Sequence, residues 1–286
     1  MALISLKQGL SHAQKHGYAL GAFNALDSHF INAIFSAGLK QRAPFILNIA
    51  EVHFKYLDLP SLVATIKAKS EQHDLPVILN LDHGLTFDNI MLAIRLGFTS
   101  VMFDGSSLSY DENIRQTQEV VRMCHAIGIS VEAELGAVGG DEGGALYGAA
   151  DAQFFTDPLK ARDFVAQTNI DALAVAIGNA HGKYKGEPKL DFVRLEKIRD
   201  EAGIPLVLHG GSGISTYDFK QAILLGIHKI NFYTGMSQAA LESVKQSIQT
   251  PNEIYDELPQ LLIGIEKAIE ATVIEQMIIF DSTGKA

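Results

Sequence analysis

The chain is short of cysteine, of basic clusters and of long apolar runs. Its 286 residues include a single cysteine, Cys124. One thiol leaves no intrachain disulfide, and a reducing compartment fits. Lys and Arg number 23 against 33 Asp and Glu, a net charge of −10 with no stretch where basic residues gather. The electrostatic footprint of a nucleic-acid binder is therefore missing. An acidic protein that holds phosphates must do so with local groups, against its overall field. No uncharged apolar run nears the ~20 residues of a membrane span. The opening MALISLKQGLSHAQKHG has helical apolar spacing and lacks the apolar core of a signal peptide. The expectation is a soluble cytoplasmic protein with no nucleic-acid or membrane partner.

What is present is ample material for a core, with 47% hydrophobic and 20% charged residues. Short apolar runs recur: YALGAF (18–23), PFILNIA (44–50), PVILNL (76–81), TSVMF (99–103), ISVEAEL (129–135), ALAVAIG (172–178), PLVLHG (205–210) and KINFY (229–233). They do not alternate with polar residues, which suits strands buried on both faces. Amphipathic stretches lie between them, such as 111–128 and 189–203, closed by Gly128 and Gly203 as C-caps. Eight strands alternating with helices predict an α/β fold, a (β/α)8 TIM barrel in one domain over 1–286. A doubly wound open sheet is the alternative. Two segments break the spacing. AVGGDEGGALYGAADAQFFT (137–156) is a long glycine-rich loop, the kind that is either a functional lid or disordered. The tail, 247–286, reads as extra C-terminal helix.

Polar residues collect where the strands end. Asp82 and His83 follow the third run, Asp104 the fourth, and Glu134 lies in the fifth. His181 follows the sixth, His209 ends the seventh and Asn231 lies in the eighth. In a barrel these positions face one opening, where active sites are built. Three histidines there suit zinc, with a coordination position left for substrate. Each histidine alone reads more readily as a hydrogen-bonded strand end than as a ligand, and it is the three together that point to a metal; His12, His16, His73 and His125 read as surface residues. Asp104 and Glu134 either orient the histidines or hold a second cation. Gly210, Gly211 and Ser212, with Asn231 to Thr234 beside them, occupy the place where barrels bind phosphate. A divalent metal beside a phosphate pocket can polarise a carbonyl and stabilise an enediolate.

The motifs NLDHG (80–84), VMFDGS (101–106), VEAELG (131–136), GGDE (139–142), LAVAIGNAHGKY (173–184), PLVLHGGSG (205–213) and KINFYT (229–234) follow one another in order. Together they resemble the class II, zinc-dependent fructose/tagatose-bisphosphate aldolase family, nearer its shorter tagatose-type branch. The resemblance implies a lyase of carbohydrate metabolism that cleaves a ketose phosphate to dihydroxyacetone phosphate and an aldehyde. It implies that His83, His181 and His209 bind catalytic Zn2+. It gives Asp82 acid/base duty at the C4 oxygen and Glu142 the exchange of the C3 proton. Asp104 and Glu134 match positions of a second, divalent or monovalent, cation. Gly182, Gly210, Gly211, Ser212, Asn231, Phe232, Tyr233 and Thr234 match the dihydroxyacetone phosphate contacts. A homodimer or homotetramer is implied as well.

Departures from the family pattern carry further expectations. Tyr233 and Gly235 replace the usual residues after Asn231, and the bulk of Tyr233 is expected to narrow or reorient the phosphate pocket. Asp27 stands where a second Asn is usual, and Glu51 where small hydroxyl residues are common. In the tail the family places an Arg for the far phosphate of a bisphosphate sugar; TPNEIYDE (250–257) has Asn252 and Glu253 and no Arg. Losing that cation weakens binding of a terminal phosphate. The expectation is an aldehyde half without one, unless another cation such as Lys285 reaches in. An ordinary bisphosphate aldolase and a non-catalytic sugar-phosphate-binding barrel are the alternatives. A metal-dependent barrel hydrolase would carry an H-x-H pair on the first strand, and GAFNALD has none.

Overall fold

The structure, a computed structural model, describes residues 3–139, 152–182, 184, 186–249 and 257–286. Eight parallel strands close into a barrel in chain order. They are β1 (Leu20–Asn24), β2 (Phe45–Ala50), β3 (Val77–Gly84), β4 (Ser100–Phe103), β5 (Ser130–Leu135), β6 (Ala172–Val175), β7 (Leu206–Leu208) and β8 (Ile227–Phe232). Every residue of every strand is buried, which is why the runs do not alternate with polar residues. One face packs under the helices and the other fills the barrel. The open sheet is excluded.

The helices are α1 (Leu6–His16), α2 (Ser28–Gln41), α3 (Leu59–Glu71), α4 (Phe87–Leu96), α5 (Tyr110–His125), α6 (Pro158–Thr168), α7 (Phe192–Ala202), α8 (Thr216–Leu224), α9 (Thr234–Gln249) and α10 (Leu258–Ile279). Side-chain caps fix where several of them start. Ser5 and Gln8 form a capping box at α1, and Asp157 accepts from two backbone N–H groups at α6. Asp27 proves to be the N-cap of α2, accepting from His29 N and Phe30 N at 2.9 Å each. Gly203 ends α7 in the left-handed conformation, as expected. Gly128 does not cap α5 directly, because that helix stops at His125 and a further turn intervenes.

One end of the barrel is closed. Leu6, Leu10 and Ala13 of α1, with Tyr18, pack on Leu20, Ala22, Ile46, Ile78, Ala172, Ala174 and Val207, forming an apolar floor. The tail becomes α10, which packs on α2 and α9. Glu266 and Glu270 of α10 take hydrogen bonds from Asn32 and Ser36 of α2 at 2.9 and 2.8 Å. Lys285 ends on the floor side, its Nζ 6.0 Å from the Tyr18 ring. It cannot serve the opposite opening of its own barrel. Among the described residues no helix is long and apolar enough to cross a membrane.

If α1 is an integral floor, Leu10→Ala costs about 2–5 kcal/mol of unfolding free energy, the usual range for a buried Leu. Denaturant titration checks this. A loss under about 1 kcal/mol would mark α1 as peripheral.

Candidate active site

Successive residues of a regular strand point to opposite faces. Asp82 and His83 are neighbours, so a regular β3 could aim only one of them into the barrel. The ladder breaks at this point. Leu81 pairs with Val101 and Gly84 with Phe103, leaving Asp82 and His83 together opposite the one residue Met102. His83 takes the left-handed φ of +47°. A non-glycine residue there stores about 1–3 kcal/mol of backbone strain, a cost found mostly at functional sites. The bulge turns both side chains toward the opening.

The three predicted histidines meet. His83, His181 and His209 are all buried, and one nitrogen from each lies within 4.8 Å of the others. His83 gives Nδ1 to Asp104 Oδ2 at 2.7 Å. His209 gives Nε2 to Glu132 Oε1 at 3.0 Å. Each carboxylate can only accept, so each bond fixes a tautomer with the proton on the bonded nitrogen. The remaining nitrogens, His83 Nε2 and His209 Nδ1, then face each other 3.0 Å apart. Two lone pairs that close require a positive charge between them. Without a metal, a proton on His83 fills the role. Burial alone would lower the His83 pKa, but Asp82, Asp104 and Glu134 together raise it well above the usual histidine range. Burial, reinforced by the charge of His83, holds His209 and His181 far below it. The donor set and the charge balance fit one divalent cation that imidazole favours.

Asp104 and Glu134 are arranged differently. Asp104 holds His83 with one oxygen, and its other takes the N–H and hydroxyl of Ser106 at 3.0 and 2.6 Å. Glu134 Oε1 accepts from Val138 N at 3.4 Å. Its Oε2 is buried with no hydrogen-bond partner among the described residues. Burial and the nearby charge of Asp104 raise the Glu134 pKa well above the carboxylate range. Oxygens of Asp104 and Glu134, with a nitrogen of His83, form a second group tight enough for an ion.

Asp82 is held from both sides. Asn24 Nδ2 donates to its Oδ2 at 3.0 Å and Asn231 Nδ2 to its Oδ1 at 2.9 Å. Burial opposes ionisation, but His83, Lys229 and His209 nearby, and the Asn24 bond, outweigh it and lower the pKa. Asp82 is therefore an ionised acceptor aimed at the mouth. Gly182, Gly210, Gly211, Ser212, Asn231, Phe232, Tyr233 and Thr234 line one pocket with Asn24, Asp82 and His181. Gly210 has φ +66°, and a Cβ there would lie 2.1 Å from the Ala180 carbonyl oxygen. Only glycine lets the β7 loop pass this close to the loop carrying His181. Tyr184 ties the same loops: its hydroxyl accepts from Ala180 N and donates to Gly210 O, both at 2.9 Å. Ser212 Oγ accepts from Gly235 N at 3.0 Å, joining the β7 loop to the start of α9. Tyr233 does reach the pocket, where its ring stands 5.0 Å from that of His53.

The other departures take structural roles. Glu51 accepts from Leu85 N at 2.7 Å, tying the loop after β2 to the loop after β3. His125 is not a bare surface residue, since its Nε2 bonds Asp171 at 2.8 Å. Glu142 and the tail positions Asn252 and Glu253 lie outside the described residues. Sequence reading missed Asn24, Glu132, Lys229 and Tyr184. A lysine inside the buried run IHKINF, and a second glutamate two residues before Glu134 on the same strand face, were the available signals.

The family model for "Fructose-bisphosphate aldolase class-II" matches residues 4–285. The fructose-bisphosphate aldolase of Geobacillus stearothermophilus is 42% identical over 290 residues, covering 100% of this chain and 99% of the relative. That of Staphylococcus aureus is 40% identical over 292 residues, covering 100% of both. The crystal structure of the YdjI aldolase from Escherichia coli K12 superposes with a TM-score of 0.89 at 34% identity, covering 99% of each chain.

The charge balance makes a measurable prediction. A divalent cation entering among the histidines displaces the proton held by His83, while His181 and His209 are already neutral at pH 7. Zinc uptake is therefore expected to release about one proton per ion. Calorimetry in buffers of different ionisation enthalpy checks this, and release near zero would contradict it. Affinity should fall as pH is lowered, because protons then compete for all three rings.

Proposed function

The chain belongs to the class II fructose-bisphosphate aldolase family, lyases of retro-aldol cleavage, and from this premise we propose how its residues divide the work. His83, His181 and His209 hold the zinc ion characteristic of the family, and Asp104 and Glu134 offer a place for a second cation. The observation that carries the reading is the pair of facing nitrogens on His83 and His209 with Asp82 alongside. Bound there, zinc supplies Lewis-acid polarisation of a carbonyl.

The chain's own groups do the rest. Asp82, ionised between Asn24 and Asn231, takes the proton of the C4 hydroxyl as the C3–C4 bond breaks. In the condensation direction it returns that proton to the new C4 oxygen. The loops of Gly182, Gly210 to Ser212 and Asn231 to Thr234 seat the phosphate of the dihydroxyacetone phosphate half through backbone N–H groups and hydroxyls. Glu142 moves the C3 proton of that half.

The aldehyde half lacks a terminal phosphate. Two features support this: no Arg stands in TPNEIYDE, and Lys285 stands beside Tyr18 at the barrel floor. A second reading, cleavage of fructose 1,6-bisphosphate or its tagatose epimer, is favoured by the names of the full-length relatives. We infer an assembly of two or four copies acting on a small sugar phosphate in the cytoplasm.

Retro-aldol rates of the zinc-loaded protein on ketose 1-phosphates and 1,6-bisphosphates test the substrate. Higher kcat/KM on the monophosphates is expected, and preference for the bisphosphates would sink that part. Asp82→Ala should lower kcat by about 10²–10⁴ while zinc content stays at the wild-type level. Unchanged kcat would remove Asp82 from the chemistry.

A further inference from the structure

Beneath the histidines lies an ion pair to which the proposed chemistry assigns no step of its own. Lys229 Nζ and Glu132 Oε2 lie 2.5 Å apart, both side chains fully buried. They come from β8 and β5, so the pair crosses the inside of the barrel. Charged side chains are rarely buried without a reason that offsets their lost hydration. A well-packed apolar pair would fill the same layer without that cost. The other oxygen of the same carboxylate shows what the pair does. Glu132 Oε1 lies 3.0 Å from His209 Nε2. His209 is 0% exposed, and its opposite nitrogen faces His83.

We propose that Glu132 and Lys229 form a positioning pair that sets the tautomer and aim of His209 for the metal. The inference rests on the zinc reading given above. Glu132 accepts the Nε2 proton, so Nδ1 keeps its lone pair toward the shared point. Lys229 balances the charge of Glu132 and holds its second oxygen, so the carboxylate cannot turn away. The arrangement mirrors Asp104 on His83, where the roles of the two ring nitrogens are exchanged. A carboxylate behind a ligating histidine raises ligand basicity and locks ring orientation. Lys229 touches neither substrate nor ligand nitrogen and acts through Glu132. Asn231 approaches the same His209 nitrogen only at 3.3 Å, and its amide is committed to Asp82 at 2.9 Å. Glu134 Oε2 stands 3.7 Å from His209 Nδ1, beyond hydrogen-bond distance, so Glu132 at 3.0 Å is the acceptor that decides the tautomer.

The experiment reads zinc affinity by chelator competition and the protonation of His209 by ¹⁵N NMR of histidine-labelled protein, with far-UV circular dichroism as the folding check. Glu132→Gln is expected to weaken zinc binding about 10–100-fold. Lys229→Met should weaken it in the same direction, and the double variant should match Glu132→Gln within about twofold, because one residue acts through the other. Ser100→Ala, a change in the same barrel interior that touches no ligand, should leave affinity unchanged. Wild-type affinity in folded Glu132→Gln, or additive losses in the double variant, would overturn the proposal. Should the variants fail to fold, the wild-type spectrum decides. His209, assigned with His209→Asn, is expected with its proton on Nε2, and a proton on Nδ1 refutes the pair's role. The metal-free protein gives the same readout. A wild type that binds no zinc would refute the metal reading, while the tautomer would still judge the pair.

Discussion

Alternation along a β-strand is the constraint on which this site turns. Two neighbouring residues cannot both face the inside of a barrel unless the ladder slips. Between β3 and β4 it slips at Asp82 and His83, and backbone strain at His83 is the cost. The slip brings an acid and an imidazole to one opening from consecutive positions. The bulge needs support on both sides. Asp104 grips His83 from just beyond β4, and the loop after β3 is held by Glu51 from the loop after β2. A strained residue gripped by its neighbours persists, whereas one without such bonds would relax.

The second principle is charge neutrality among groups with little exposure to water. The upper half of the barrel interior contains carboxylates, imidazoles and an ammonium group, few of them exposed. Such a layer is tolerable only when each charge has a partner. Asp82 has two amides, Asp104 a hydroxyl and a backbone N–H, and Glu132 a lysine and a histidine. The lower half has none of this and is filled by apolar side chains from the strands and α1. The boundary runs through single strands: Leu20 and Ala22 belong to the floor, and Asn24 on the same face belongs to the site.

Much of this was legible in the sequence. The eight apolar runs are the eight strands, because burial on both faces removes polar residues from all but the strand ends. Polar residues at those ends stood out for the same reason, and His83, His181 and His209 were readable before any coordinates. Positions inside the runs were harder. Glu132 and Lys229 sit where a strand reads as core, and only their partners across the barrel explain them. Asp27 read as a departure from a binding pattern, yet it caps a helix; a short acidic side chain before a helix serves either purpose. Tyr184 gave no signal, because its role depends on two loops that meet only in the closed barrel.

The apolar floor makes the barrel a blind well. With α1 and Tyr18 sealing one end, the described residues leave the opposite end as the way to the buried histidines. Entry and exit must therefore share a single mouth and take turns. Whatever is seated on the loops of Gly210 and Asn231 corks the well, and anything beneath it stays until the cork is drawn. Loading at the bottom precedes binding at the top, and emptying runs in the reverse order. A barrel open at both ends would impose no such sequence.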